Sequence, residues 1–269
     1  MARPNISVID FFNLESGIAT EFRRLLHNIQ QLAKEREVKS LLVTSSMLSE
    51  GKSTVCAFLA MTAAKKGLKT LLIDSDLRRP TMHKLFVIDR EPGLSEALTE
   101  GVLARNVVRK TSLNSLDVIT AGKPCPIPAE VFDAAAIGRI ISEMKFYYDL
   151  IITDCAPVIP VSDPMLLSQE VDGVLFVVKA GSTQRDIVVR ARDILASSTN
   201  RILGVVLNNC DDSLPYYYSH EYYGYDYRQK PAGAKGSAKS QSKQDEKPVD
   251  TSARPDSKTD SKQRNSLSQ

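Results

Sequence analysis

One stretch, residues 40–54 (SLLVTSSMLSEGKST), constrains the fold of this chain more than any other. Its apolar run at residues 41–43 has no polar alternation, which is typical of a strand buried on both faces of a parallel sheet. Residues 50–54 (EGKST) close the stretch, and the composition of residues 55–64 predicts a helix directly after it. Strand, loop and helix in this order predict a phosphate-binding loop, because backbone N–H groups and a helix N-terminus favour an anion.

The loop supplies the candidate nucleotide-binding residues. Lys52 can reach the outer phosphates, and the Ser53 hydroxyl can coordinate Mg²⁺. The general pattern G-x-x-x-x-G-K-[ST] places its first glycine where this chain has Ser46. An ordinary strand-to-helix turn does not explain a glycine, a lysine and two hydroxyl residues in this order. We therefore expect the nucleotide to contact Ser49, Glu50, Gly51, Lys52, Ser53 and Thr54.

Carboxylates end two further apolar runs. Asp74 and Asp76 follow one run, and Asp154 ends another. Because ligands in an open parallel sheet collect at the carboxyl ends of strands, these acids are expected at the same rim as the loop. Asp154 has the position of the acid that acts on Mg²⁺ through water in P-loop enzymes. Asn208, at the end of the last predicted strand, is a candidate for contact with the nucleotide base. The alternative is an ordinary polar turn at the end of the strand.

Strand and helix patterns alternate six times along the chain, which predicts an α/β fold with a doubly wound, mostly parallel sheet. The predicted strands are residues 41–43, 70–74, 116–120, 149–154, 173–179 and 202–207. The predicted helices are residues 16–34, 55–64, 129–132, 137–146, 164–170 and 183–197. We expect residues 1–35 to form an N-terminal arm, lying on a neighbour, and an amphipathic helix, and residues 36–212 to form the nucleotide-binding domain.

Composition narrows the classes of function. The formal net charge is +3 and the pI is about 8.6, so the surface as a whole does not indicate nucleic-acid binding. The four cysteines form no C-x-x-C pair, which favours a reduced, cytoplasmic protein. No apolar run reaches the roughly 18 to 20 residues that span a bilayer, and no signal-peptide core is found at the N-terminus.

The composition changes abruptly after residue 212. Residues 213–228 hold most of the tyrosines of the chain, and residues 229–269 are polar and predicted to be disordered. Such a cluster is either a low-complexity segment or a set of accessible phosphorylation sites, each phosphate adding about −1.5 to −2 charges. The candidate phosphorylation sites are Tyr216, Tyr217, Tyr218, Tyr222, Tyr223, Tyr225 and Tyr227.

The chain resembles the bacterial tyrosine kinases (BY-kinases) that regulate capsule and exopolysaccharide export. The resemblance is carried by the motifs SSMLSEGKST, LLIDSDLRRP and IITDCAP, by Val161-Ser162-Asp163 after the last of these, and by the tyrosine cluster. The resemblance implies a P-loop NTPase architecture of the MinD/ParA type and the cofactors ATP and Mg²⁺. It implies catalytic roles for Lys52, Asp74, Asp76 and Asp154, with Mg²⁺ held by Ser53, Asp74 and Asp154, partly through water. We take Asp76 rather than Asp74 as the base for the incoming tyrosine, because it lies further beyond the strand.

The same resemblance implies partners. BY-kinases assemble into rings through an E-x-x-R-x-x-R pattern, which Glu21 and Arg24 match, while His27 replaces the last arginine. The substitution removes a permanent charge. Further implied partners are a membrane polysaccharide co-polymerase that recruits the kinase to the inner face of the cell membrane, and a phosphotyrosine phosphatase. Autophosphorylation of the tyrosine cluster is expected to occur between subunits.

Two other functions fit parts of the sequence. A ParA- or MinD-like positioning ATPase would keep the nucleotide site, but those proteins usually carry a lysine at the place of Met47 and have no tyrosine cluster. A nucleotide-dependent scaffold that gates an exporter would use the same ATP site without kinase activity. Nucleic-acid binding through the basic tail is disfavoured, because acidic residues dilute the lysines and no aromatic residues accompany them.

Overall fold

The computed structural model describes residues 6–13, 15–35, 37–199 and 201–210. Within these residues seven strands form a single sheet in the order β3-β4-β2-β5-β1-β6-β7. All neighbouring strands are parallel except β3, which runs antiparallel to β4. The strands are β1 (Ser40–Ser45), β2 (Thr70–Asp74), β3 (Val108–Lys110), β4 (Leu116–Ile119), β5 (Leu150–Asp154), β6 (Gly173–Lys179) and β7 (Ile202–Asn208).

Helices cover both faces of the sheet. They are α1 (Gly17–Glu35), α2 (Lys52–Lys65), α3 (Met82–Phe86), α4 (Leu94–Thr99), α5 (Pro128–Val131), α6 (Ala134–Met144), α7 (Asp163–Leu167) and α8 (Arg185–Ala196). One hydrophobic core lies between the sheet and the helices α1, α2 and α3, and a second lies between the sheet and the helices α4, α6, α7 and α8. The predicted α/β class with a mostly parallel, doubly wound sheet is therefore confirmed.

The central strands show why their sequences lack alternation. In β1, Leu41 and Val43 face the first core and Leu42 faces the second, and all three side chains are fully buried. Strands buried on both faces need apolar residues at every position. With each methylene worth roughly 0.8 kcal/mol on burial, the two cores fix the strand register that places the carboxyl ends on one rim.

The N-terminal segment packs on its own chain, whereas the sequence predicted an arm on a neighbour. Val8–Phe11 form a short 3-10 helix, whose first turn is capped by Ser7. The Phe12 ring lies 5.6 Å from the Phe58 ring on α2, edge to face, and Phe22 of α1 stacks on Phe58 at 5.3 Å. Val8, Ile9 and Phe12 are partly buried against the first core, whereas Ile6 and Phe11 are exposed.

One strand and two α-helices were not predicted. The strand β3 has only three residues, all partly or fully exposed, so its sequence carries no apolar signal. The helices α3 and α4 have five and six residues, which is too short for a helical period to show. Val87, with a φ of +53°, ends α3 in the left-handed region. The tyrosine cluster and the polar tail lie outside the described residues.

Candidate functional site

The phosphate-binding loop runs from the end of β1 to the first residue of α2. Gly51 precedes the helix with a φ of +91°, a conformation that favours glycine. A Cβ at this position would lie 2.1 Å from Nδ2 of Asn208, so the close approach of β7 also requires glycine. Ser49 has a φ of +63°, a conformation that is strained for a residue with a side chain.

Lys52 lies between two of the predicted acids. Its Nζ is 2.9 Å from Oδ2 of Asp76 and 3.6 Å from Oδ1 of Asp154. Burial lowers the pKa of Lys52, but the charges of Asp154 and Asp76 outweigh burial and hold the pKa above its ordinary value. Lys52 is therefore a permanent cation at the start of α2, where a phosphate group would find it.

Asp74 and Asp154 lie opposite each other on the adjacent strands β2 and β5. Both side chains are fully buried. Burial and the Asp154 charge raise the pKa of Asp74, although N–H groups of Met82 and Thr81 donate to its Oδ2 at 3.0 and 2.9 Å. Burial also raises the pKa of Asp154, against the opposing effect of Lys52. Two carboxylates this close disfavour each other's charged form.

Three carboxylate oxygens in this pair are suited to bind a cation. Among the described residues, Oδ1 of Asp74 and both oxygens of Asp154 are buried without a hydrogen-bond partner. Buried polar atoms are rarely left unpaired, and Mg²⁺ prefers carboxylate and hydroxyl oxygens. No group of three or more His, Cys, Asp or Glu side chains in the described part of the chain is arranged to hold a metal alone. The residues therefore fit Mg²⁺ that takes its remaining ligands from phosphates and water.

Asp76 lies beyond the end of β2 and is almost fully buried. Its Oδ2 accepts a hydrogen bond from Lys52, and its Oδ1 accepts one from the N–H of Arg79 at 3.0 Å. The second contact holds the turn that follows β2 and fixes the carboxylate beside the lysine. If the Lys52 ammonium group turned from Asp76 to a phosphate, Oδ2 of Asp76 would be available to accept a proton.

Glu50 and Asn208 are in the loop region, but their contacts are with protein. Asn208 Nδ2 donates to the carbonyl oxygen of Glu50 at 2.9 Å. Oε2 of Glu50 accepts from the N–H of Met47 at 2.6 Å, and Oε1 accepts from the hydroxyl of Thr183. No motif in the sequence singles out Thr183. Its place after the carboxyl end of β6 is a signal that could have been used.

A second missed contact joins Arg78 to Asp163. Nε of Arg78 lies 3.4 Å from Oδ2 of Asp163, at the start of α7, and the Asp163 carboxylate is nearly buried. Arg78 follows Asp76 in the same turn, so this ion pair ties the turn after β2 to the segment after β5. An arginine on this rim adds positive charge beside the loop.

The predicted oligomerisation residues lie on the surface of α1. Glu21 and Arg24 form an ion pair of 2.8 Å within the helix, and both side chains are about half exposed. His27 is exposed and its Nε2 lies 3.2 Å from the side-chain amide nitrogen of Gln31.

None of the described helices has the length and apolar character needed to span a bilayer.

Known proteins share this fold and much of this sequence. A family model described as "ParA: NUBPL iron-transfer P-loop NTPase" matches residues 37–232. The tyrosine-protein kinase YwqD of Bacillus subtilis is 32% identical over 83% of this chain and 92% of its own length. The chain belongs to the family of bacterial tyrosine-protein kinases. The resemblance seen in the motifs is confirmed, and with it the enzyme class, protein-tyrosine kinase.

Solved kinase structures agree with this assignment. The kinase domain of the Escherichia coli tyrosine kinase ETK has a TM-score of 0.72 and 29% identity, covering 77% of this chain and 82% of that one. The chimerical protein CapA2B2 has a TM-score of 0.69 and 32% identity, covering 74% of this chain and 88% of that one. The P-loop NTPase architecture predicted for this kinase is therefore confirmed, and a nucleotide site is implied by it.

Proposed function

We propose that this kinase transfers the γ-phosphoryl group of ATP to tyrosines of its own C-terminal cluster, residues 213–228, and that transfer takes place between subunits. The observation that carries the proposal is the position of Lys52, with Asp76 at 2.9 Å and Asp154 at 3.6 Å. Phosphoryl transfer depends on positioning and charge neutralisation, and this arrangement supplies one fixed cation and carboxylates for both a metal and a proton.

Each residue at the rim has a distinct role in the proposed reaction. Lys52 binds the β- and γ-phosphates, and Ser53, Asp74 and Asp154 hold Mg²⁺, which neutralises phosphate charge when bound. The tyrosine oxygen forms a bond to the γ-phosphorus as the bond from that phosphorus to the bridging oxygen breaks, and ADP leaves. Asp76 accepts the phenolic proton, because a tyrosine with an ordinary pKa near 10 is a weak nucleophile at pH 7.

A mixing experiment tests the acceptor and the route. Lys52→Met protein with an affinity tag is incubated with untagged wild-type protein and Mg·ATP, and phosphotyrosine on the tagged chain is mapped by mass spectrometry. We expect phosphate on residues 216–227 of the tagged chain. Lys65→Met, at the exposed end of the same helix, is the matched control and should phosphorylate itself. Phosphate confined to the untagged chain would contradict transfer between subunits.

The scaffold hypothesis predicts a different outcome in the same assay. A nucleotide-dependent scaffold would bind or hydrolyse ATP without forming phosphotyrosine. A variant in which the seven clustered tyrosines become phenylalanine separates the possibilities further. Under the kinase proposal this variant loses autophosphorylation but still phosphorylates the tail of the Lys52→Met protein.

We further propose that the kinase works with a second, membrane-bound polypeptide in polysaccharide export. A solved relative, the chimerical protein CapA2B2, joins parts of two proteins in one chain, which supports a kinase that works with a partner. A polysaccharide co-polymerase would recruit the kinase to the inner face of the membrane, and a phosphotyrosine phosphatase would reverse the modification. Assembly into a ring through Glu21 and Arg24 of α1 would bring a tail to a neighbouring site.

A further inference from the structure

The carboxylate of Glu50 occupies a buried position in the phosphate-binding loop, and only 3% of the residue is exposed. Both of its oxygens are hydrogen-bonded, one from the N–H of Met47 and the other from the hydroxyl of Thr183. The first contact closes the loop on itself. The second connects the loop to the segment between β6 and α8, which lies outside the P-loop motif.

The strand β7 holds the same residue from another side. Nδ2 of Asn208 donates to the Glu50 carbonyl at 2.9 Å, and the Asn208 carbonyl accepts from the N–H of Ala180 at 2.8 Å. Asn208 therefore joins the loop to the ends of both β6 and β7. Its contact with Gly51, where a Cβ would overlap Nδ2, shows how closely the two segments are fitted.

The charge of Glu50 does not explain these contacts. A carboxylate beside a phosphate site opposes the binding of a polyanion. In the described part of the chain Glu50 forms no ion pair with a lysine or arginine, and its partners are a backbone N–H and a hydroxyl. The side chain instead connects Met47 to Thr183 through two hydrogen bonds, and we call this connection the bridge.

We propose that Thr183 and Asn208 are positioning residues, which act through Glu50 to hold the phosphate-binding loop in the shape that accepts nucleotide phosphates. The inference rests on the proposed use of this loop for ATP. It assigns to the segment after β6 and to the end of β7 a share in nucleotide affinity, without contact with the reacting atoms.

Glutamine at position 50 would keep both hydrogen bonds of the Glu50 side chain. The amide oxygen of Gln can accept from the N–H of Met47, and its NH₂ group can donate to Thr183 after rotation of the hydroxyl. The bridge then survives without its charge. A catalytic base or metal ligand at this position would not survive the same change, because an amide neither takes up a proton at neutral pH nor binds Mg²⁺ as a carboxylate does.

The test compares four variants of the full chain: Thr183→Val, Thr183→Ser, Glu50→Gln and Ser182→Ala. Steady-state phosphorylation of the Lys52→Met tail gives KM for ATP and kcat, a fluorescent ATP analogue gives Kd directly, and urea unfolding reports stability. Loss of a buried hydrogen bond to a charged group should raise KM and Kd about tenfold in Thr183→Val, with kcat within about threefold of wild type. Thr183→Ser should restore both constants.

Glu50→Gln should raise KM and Kd less than Thr183→Val does, since its bridge is intact. Ser182→Ala, the exposed neighbour in the same segment, should match wild type. The proposal is overturned if Thr183→Val binds the analogue with wild-type affinity. Asn208→Ala provides an independent arm and should raise Kd in the same way.

The outcomes separate this inference from the proposed function. Wild-type affinity in Thr183→Val, together with normal tail phosphorylation, would overturn the positioning role and leave the kinase proposal standing. Failure of the wild-type protein to bind the ATP analogue would overturn the use of the loop itself.

Discussion

Asp74 and Asp154 face each other in register across β2 and β5, both fully buried. Two like charges that are buried away from water destabilise each other, and the pKa of each carboxyl group is raised. Among the described residues, Oδ1 of Asp74 and both oxygens of Asp154 have no hydrogen-bond partner, and these oxygens fit a divalent cation. Under the proposed function, binding of Mg·ATP would relieve this repulsion and so couple nucleotide binding to the stability of the sheet.

The pair predicts how stability depends on pH without metal. Because the folded-state pKa of Asp74 is raised by burial and by Asp154, its contribution is fully present below the unfolded pKa, near 4, and is lost as pH rises through the higher folded value. In EDTA, thermal unfolding of the wild type should shift to lower temperature across this window. Asp74→Asn should show a shallower pH dependence, because the raised group is gone. An unchanged slope in the variant would contradict the assignment.

The two acids that follow β2 should respond differently to amide substitution. Asp76→Asn should lower kcat for tyrosine phosphorylation by about 10² to 10⁴, the usual contribution of a general base, with a smaller effect on Kd for ATP. Asp74→Asn should weaken Mg²⁺ dependence instead, which a titration of Mg²⁺ at saturating ATP would measure. Retained autophosphorylation in Asp76→Asn, with loss in Asp74→Asn, would reverse the two roles.

Ser49 and Gly51 both have a positive φ, and only Gly51 is a glycine, so the two positions allow backbone strain to be compared. Replacing Ser49 with glycine removes a left-handed conformation that costs on the order of 1 kcal/mol, offset in part by the greater freedom of the unfolded chain. Urea unfolding should show equal or higher stability in Ser49→Gly. Gly51→Ala should lose stability, because the new Cβ meets Asn208 and the φ of +91° disfavours it. Equal losses in both variants would show that neither conformation carries the predicted strain.

Assembly through α1 should depend on charge at three exposed positions. Glu21 and Arg24 are satisfied by each other within one helix, and His27 lacks the charge of an arginine. Arg24→Glu should shift the monomer–oligomer equilibrium toward monomer, and His27→Arg should tighten assembly by up to about fivefold, the scale of an exposed charge pair. Sedimentation velocity measures both changes. Glu143→Lys on α6 is the control, and identical behaviour of all three variants would exclude α1 as the interface.

Sequence periodicity was sufficient for the elements that the two cores bury. Six strands and six helices were predicted near their observed positions, because runs such as residues 41–43 must be apolar on both faces. The strand β3 was missed because an exposed three-residue antiparallel edge needs no apolar residue, only the hydrogen bonds of β4. The N-terminal segment was placed on a neighbour because the sequence does not show that Phe58 offers it a surface on α2.

The site divides in the same way. Lys52 and the three acids were predicted because motif spacing and strand ends place them on one rim, and the structure brings them together there. Thr183 was missed because a threonine in a loop is common, and only the folded chain shows its contact with Glu50. Asp163 belongs to a motif that carries the resemblance, but its contact with Arg78 was not predicted. Long-range partners of this kind have no local signature.

Asn208 touches the phosphate-binding loop at the end of β7, and the first clustered tyrosine follows only eight residues later. A tether of that length lets Tyr216 reach at most about 28 Å from Asn208 of its own subunit, so under the proposed function the acceptor stays near a neighbouring catalytic centre while the two subunits are assembled. Tethered groups experience effective concentrations in the millimolar range. Such an enzyme has little need of a groove that recognises the sequence around a tyrosine, because the choice of substrate is made by attachment.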